Sequence, residues 1–214
     1  MLGRVSLDET QREALRRSVP PPRVEATPLR EAVQSVAAAL RSFPDRGMII
    51  GGVALLAHGV ASEPQGVEAT MATAHDLADI FAELARFDLH PRIDDALAHA
   101  RALQALALRH RTSGSDVDLS LAWQPFELDA LAAAEDMLLG TIEVTVPRAE
   151  DLVIYKAVSF GPQDRRDIER LVSLHGKTMD LARIRRVVAD LAADDAARLG
   201  DLERAIERGL GLAP

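Results

Sequence analysis

Cysteine is absent from the 214-residue chain. That excludes disulfides and thiolate metal sites and leaves any metal to oxygen or imidazole ligands, the donors that suit hard cations. Aromatic residues are scarce, with five Phe, one Trp and one Tyr, too few for a base-stacking platform of the single-strand-binding kind. No apolar run reaches the roughly 18 residues that a membrane span needs. The stretch from Met1 to Arg17 is charged and has no apolar signal-like core, so the expectation is a cytoplasmic protein with no membrane association. A formal net charge of −8 argues against a surface that attracts nucleic acid everywhere and leaves only local basic patches for RNA.

What is present fits one globular core with a small helical appendage: 48% of residues are hydrophobic and 27% charged. Residues 8–18 and 28–42 read as helices, separated by Ser18-Val19-Pro20-Pro21-Pro22, which cannot continue a helix. Leu29, Val33, Val36 and Leu40 give the second helix one apolar face. From Arg46 short strand and helix signals alternate, the texture of an α+β unit. Met48-Ile49-Ile50 reads as a strand ending at Gly51-Gly52, with a short helix from Val53 to His58. Gly66 to Ala72 reads as a strand, and Thr73 as the cap of a following helix. Residues 104–110 and 116–122 read as a hairpin turning at Thr112-Ser113-Gly114-Ser115, and Pro125 as the start of a helix to about Asp136. Thr141 to Val146 reads as a strand and Pro147 as the opening of a helix to about Phe160, after which the chain reads as helical.

The chemistry-bearing residues sit on these strands. In Asp116-Val117-Asp118-Leu119-Ser120-Leu121, alternation puts Asp116, Asp118 and Ser120 on one face and the aliphatic residues on the other. Two carboxylates so placed repel each other unless a cation relieves them. The strand at 66–72 presents Glu68 in the same way, so Glu68 and Asp118 converge if the strands are neighbours. Such a pair suits a hard divalent cation. Gly51-Gly52 lies where a strand turns into a helix, a place where backbone amides can receive phosphate oxygens and where a plain tight turn also occurs. The lone histidines show no metal-ligand spacing; His58 reads as a cap or core group. Arg109-His110-Arg111, Arg165-Arg166, Arg183, Arg185 and Arg186 form local basic content, readable as an RNA-facing patch or as a solvated helix face paired with Glu169, Asp180 and Asp190.

Taken in order, Ile50-Gly51-Gly52, Gly66-Val67-Glu68 and Val117-Asp118-Leu119 resemble the pattern of the nucleotidyltransferase superfamily. Gly-Gly-Val-Ala-Leu-Leu-Ala-His-Gly at 51–59, Val146 to Lys156 and Gln163-Asp164-Arg165-Arg166-Asp167-Ile168 are similar to the AbiEii-type toxins and related minimal nucleotidyltransferases. The resemblance spans residues 46–175. It implies a nucleotidyltransferase-like mixed β-sheet flanked by helices, with an N-terminal helical arm (1–45), a core (46–160) and a C-terminal helical extension (161–214). It also implies an NTP held by Gly51, Gly52 and Lys156, magnesium on Glu68 and Asp118 with help from Asp116, a tRNA end or a protein hydroxyl as acceptor, and a cognate antitoxin.

The chain departs from that pattern where the chemistry would be. Gly66 stands where the first acid of the pair is expected, and Ser62, Glu63 and Pro64 stand where the family places an arginine and a threonine. A glycine offers no side-chain ligand, so the metal site is expected to be weak or limited to one cation. Two readings follow: a nucleotidyltransferase with a weakened metal site, and an inactive pseudoenzyme that serves as a nucleotide-binding or protein-interaction module.

Overall fold

The computed structural model describes residues 28–192 and 195–212; the helix expected at 8–18 lies outside them. The first described element, α1 (Pro28–Ser42), buries Ala32, Val33, Val36, Ala37, Ala39 and Leu40, the stripe that helical periodicity demands. Next come β1 (Gly47–Ile50), α2 (Gly51–Ala57) and β2 (Gly66–Met71), then α3 (Leu77–Ala85), β3 (Leu89–Pro91) and α4 (Ala96–Leu103). The hairpin of β4 (Ala105–His110) and β5 (Asp116–Leu121) leads to α5 (Pro125–Ala132), followed by the pair β6 (Glu135–Leu139) and β7 (Ile142–Val146). Four helices close the described chain: α6 (Ala149–Ser159), α7 (Pro162–His175), α8 (Leu181–Leu191) and α9 (Ala196–Gly209).

The architecture is α+β. Five strands form a mixed sheet in the order β1-β2-β5-β4-β3, in which β2 and β5 run parallel and the other neighbours antiparallel. One face of its centre is apolar: Val67, Ala69, Met71, Leu106, Leu108, Val117 and Leu119 are buried against α1 and its neighbours. Complete burial of a Val or Leu side chain is worth about 1.5–3 kcal/mol. A one-residue slip of β5 would exchange Val117 and Leu119 for carboxylates, so this face fixes the register strongly. The opposite face of the same two strands therefore carries Glu68, Asp116 and Asp118.

Three expectations are corrected. The helix after β2 begins at Leu77, and Asp76 rather than Thr73 caps it, accepting from the Ala78 amide at 2.8 Å. Thr73 instead accepts from the His75 amide in a short turn. The helix opened by Pro125 stops at Ala132, and Glu135–Leu139 becomes a strand because its backbone pairs with β7, a long-range partner that local propensity does not reveal. The elements β3 and α4 were not anticipated either; β3 is three residues long and exists by pairing with β4.

The C-terminal helices are tied to the core by a buried ion cluster. Asp151 on α6 is 1% exposed and meets Arg148 Nε at 2.9 Å and Arg183 NH1 on α8 at 2.6 Å. His58, at the end of α2, is buried and hydrogen-bonded through Nε2 to the Pro147 carbonyl at 2.8 Å, a core role. Replacing Asp151 with alanine strands two arginines beside a closed core. Urea unfolding of Asp151→Ala should show a loss of about 3–5 kcal/mol; a loss below about 1 kcal/mol would mean that the cluster is ornamental to the packing.

Candidate functional site

The site is built on the polar face of β2 and β5. In their parallel pairing Gly66 lies opposite Asp116 and Glu68 opposite Asp118, so the convergence of Glu68 and Asp118 follows from register. The turn from β1 into α2 comes alongside. Gly51 has φ +63°, and a Cβ built there would fall 2.5 Å from Glu68 Oε1. Only glycine combines that left-handed backbone with so close an approach. The Glu68 carboxylate thus lies against the Gly51-Gly52 turn. At the next residue, Pro64 Cβ and Ser62 Oγ crowd the position of a Cβ on Gly52, at 2.9 and 3.1 Å.

Glu68 feels its surroundings. Glu68 is open to solvent on one side, yet desolvation by the protein around its carboxyl pushes it above the usual range against the nearby Lys156 cation, and the Asp118 charge acts in the same upward direction. Lys156, on α6, is little exposed and is held by two acids of α7, with Nζ 3.0 Å from both Asp164 Oδ1 and Asp167 Oδ2. Burial works against its charge, but the hydrogen bonds to Asp167 and Asp164 prevail and hold its pKa above the ordinary value. Asp164 also accepts from the Gly161 amide at 2.8 Å, closing the first turn of α7. Asp164 therefore caps its helix and pairs with the lysine.

The β5 carboxylates have partners from β4 and the residue that follows β3. Arg92 donates through NH2 to Asp118 Oδ1 at 2.8 Å, and its Nε lies 3.9 Å from Asp116 Oδ2. Its NH1 is anchored on two backbone carbonyls, Leu108 at 3.0 Å and Val117 at 3.1 Å. Arg109 donates to Asp116 Oδ1 at 2.8 Å, and this bond is the main cause that holds the Asp116 carboxyl below its usual range.

Of the residues singled out from sequence, Glu68, Asp118, Asp116, Gly51 and Gly52 share one neighbourhood, and Lys156 is close enough to act on Glu68. Arg92 was missed. Its partner Asp118 is 26 positions away, and nothing in Pro91-Arg92 announces a strand edge. Among the described residues, no group of three or more His, Cys, Asp or Glu side chains is disposed to hold a metal ion. An arginine guanidinium sits on the β5 carboxylates, two of the three acids from which a weak or single magnesium site was expected.

Gly66 has its own steric reason. A Cβ there would lie 2.6 Å from the Asp116 carbonyl oxygen, a backbone atom that cannot swing aside, so an acid at this position would force the two strands apart. The basic content of the C-terminal helices is largely paired: Arg165 with Asp201, Arg185 with Glu203, Arg208 with Glu169 and Arg198 with Asp195. The acids expected from sequence as partners of Arg165, Arg183 and Arg185 were Glu169, Asp180 and Asp190; the structure pairs these arginines with Asp201, the buried Asp151 and Glu203 instead.

No family model matches this chain, and no curated protein matches it. Among solved structures it is similar to an antigenic nucleotidyltransferase-like protein from Paracoccidioides brasiliensis, at 17% identity over 80% of this chain and 92% of that one, with a TM-score of 0.46. No helix among the described residues is long and apolar enough to cross a membrane.

The Glu68 carboxyl yields a prediction. Its folded-state pKa is raised, so ionisation costs stability as pH rises from the unfolded-state value through the folded one. Glu68→Gln should be more stable than the wild type at neutral pH, and the difference should shrink as pH falls through that window. Thermal melts across pH 4 to 8 would read it, and a Glu68→Gln variant that is less stable at neutral pH would contradict it.

Proposed function

We propose that this chain is a nucleotidyltransferase-type scaffold that no longer transfers nucleotides and acts as a nucleotide-binding or protein-interaction module. The order of its parts supports the scaffold: a glycine pair after β1, Glu68 on β2 and Asp118 on β5, with Lys156 on a later helix. One observation carries the loss of transfer. Arg92 is seated on Asp118 and beside Asp116, where the reaction needs carboxylates free to hold cations. Lys156, expected on a triphosphate, is engaged by Asp164 and Asp167. Glu68 and Pro64 flank the glycine turn, and a carboxylate there repels a polyphosphate.

A second reading has one observation in its favour: Glu68 and Asp118 lie opposite each other on adjoining strands, and the Asp118 charge adds to the cost of ionising Glu68, a cost that a single magnesium ion would relieve. On that reading the chain transfers a nucleoside monophosphate to an RNA end or a protein hydroxyl, and a toxin role with a cognate antitoxin goes with it.

The two readings part in one assay. Each α-labelled nucleoside triphosphate is offered with magnesium or manganese to the wild type and to Asp118→Asn, with total RNA and protein as acceptors. The scaffold reading expects no label transfer from either. Transfer by the wild type that drops by about a hundredfold or more in Asp118→Asn would establish the enzyme and overturn the proposal.

A further inference from the structure

The α1 side of the sheet carries a second group of polar side chains, apart from the carboxylate face. Strand β4 alternates, so that Arg109 reaches the acids while Leu106, Leu108 and His110 are buried on the other face. His110 is 5% exposed, a polar ring at the edge of an apolar core. Both of its nitrogens are engaged. Nε2 lies 3.0 Å from Ser35 Oγ on α1, and Nδ1 lies 2.8 Å from Ser113 Oγ in the turn between β4 and β5. Ser113 Oγ donates in turn to Ser115 Oγ at 3.1 Å. A groove of about 410 Å³ opens over this chain of contacts, with Ser35, His110, Asp88, Glu31, Phe87 and Ala38 in its lining, a size suited to a small molecule.

We propose that Ser35 is a nucleophile activated by His110, and that the groove takes acyl groups from small carboxylic esters that carry no negative charge. The proposal goes beyond the scaffold reading and does not depend on it. A serine hydroxyl becomes a useful nucleophile when a base within hydrogen-bond reach removes its proton, and a third group must fix which ring nitrogen is free to do so. All three parts are present. Ser113 gives its own proton to Ser115, so it meets Nδ1 as an acceptor, and the 2.8 Å contact holds the imidazole proton there. The Ser113 amide also approaches Nδ1, at 3.3 Å, which is longer than ordinary N–H donation. Nε2 is then the unprotonated nitrogen, and it faces Ser35 Oγ.

The charge that develops is met as well. When Ser35 gives up its proton the ring becomes an imidazolium, and Asp88 Oδ2 lies 3.8 Å from Nε2. Asp88 accepts from the hydroxyl and the amide of Thr112, at 2.6 and 2.8 Å, and these bonds, the hydroxyl first, hold its carboxyl below its usual range. It therefore stands ionised beside the ring at neutral pH. Its backbone adopts φ +62°, a conformation that a side-chain-bearing residue keeps only where its surroundings enforce it. Phe87 and Ala38 offer apolar contact to an acyl group, and Glu31 and Asp88 repel anions; among the described residues no lysine or arginine lines the groove. In the reaction Ser35 Oγ bonds to the ester carbonyl carbon as its proton passes to His110 Nε2. The adduct then breaks its bond to the alcohol oxygen, which leaves with that proton. Water repeats the sequence on acyl-Ser35 and releases the carboxylic acid.

The test offers p-nitrophenyl acetate to the full chain, follows p-nitrophenol by absorbance and locates the acetylated residue by mass spectrometry. The wild type should carry acetyl on Ser35 and should turn over about a hundredfold faster than Ser35→Ala, the lower end of what a positioned base contributes. Alanine favours the interior of a helix, so this variant keeps α1, and circular dichroism checks it. Nitrogen-15 NMR of the wild type should place the His110 proton on Nδ1, and Ser113→Ala, which removes the positioning hydroxyl, should move it to Nε2 and lower turnover with it. Equal turnover by the wild type and Ser35→Ala, acetyl found only on other residues, or a wild-type proton on Nε2 would overturn the proposal. The label-transfer assay decides the scaffold reading separately, because none of these readouts involves a nucleotide.

Discussion

Like charges on adjoining strands must be relieved, and the means of relief decides what this face of the sheet can do. Burial of Val67, Ala69, Val117 and Leu119 on the opposite face fixes the register of β2 and β5, which leaves Glu68, Asp116 and Asp118 no choice but to stand together. The chain relieves Asp116 and Asp118 with Arg92 and Arg109, whose positions are set by the pairing of β3, β4 and β5, and leaves Glu68 with only the nearby Lys156 charge. The sheet order thus places the acids and supplies their counter-charges.

The same economy recurs across the molecule. Lys156 is clasped by Asp164 and Asp167 between α6 and α7, and Asp151 by Arg148 and Arg183 between α6 and α8. Asp151 and Asp167 are buried, and each is paired inside the chain with cations that are only partly exposed, as a low-dielectric setting requires. A protein that handles polyphosphate and metal ions keeps some of its charge unbalanced until the ligand arrives. Here the groups expected to do that work are already committed to one another, and the glycine turn that would admit phosphate oxygens has Glu68 close to Gly51 and Pro64 close to Gly52.

Much of this was legible in the sequence, and the failures have physical causes. Alternation in Asp116 to Leu121 and in Gly66 to Met71 gave the faces of both strands correctly, because a half-buried strand has a period of two that local reading detects. The apolar stripe of α1 was legible for the same kind of reason. The helix from Pro125 was carried on through Glu135 and Asp136, and the strand Glu135–Leu139 was missed, because its strand state depends on pairing with β7; Thr73 was taken as a cap because a hydroxyl before an acidic stretch satisfies the local rule while Asp76 satisfies it better. Of the site, the acids were legible and the cation was not. Arg92 acts across three strands, and contacts of that separation leave no mark on neighbouring residues. Gly66 was legible as a missing ligand, but not as a residue required by the approach of the Asp116 carbonyl.

The central claim is that the cation on this face is part of the chain. A crystal structure of the wild type grown in excess magnesium and a non-hydrolysable nucleoside triphosphate tests it most directly. The account predicts the Arg92 guanidinium on Asp118, with no metal ion between β2 and β5. An ion coordinated by Glu68 and Asp118, with Arg92 turned away and triphosphate oxygens on the Gly51-Gly52 turn, would contradict it.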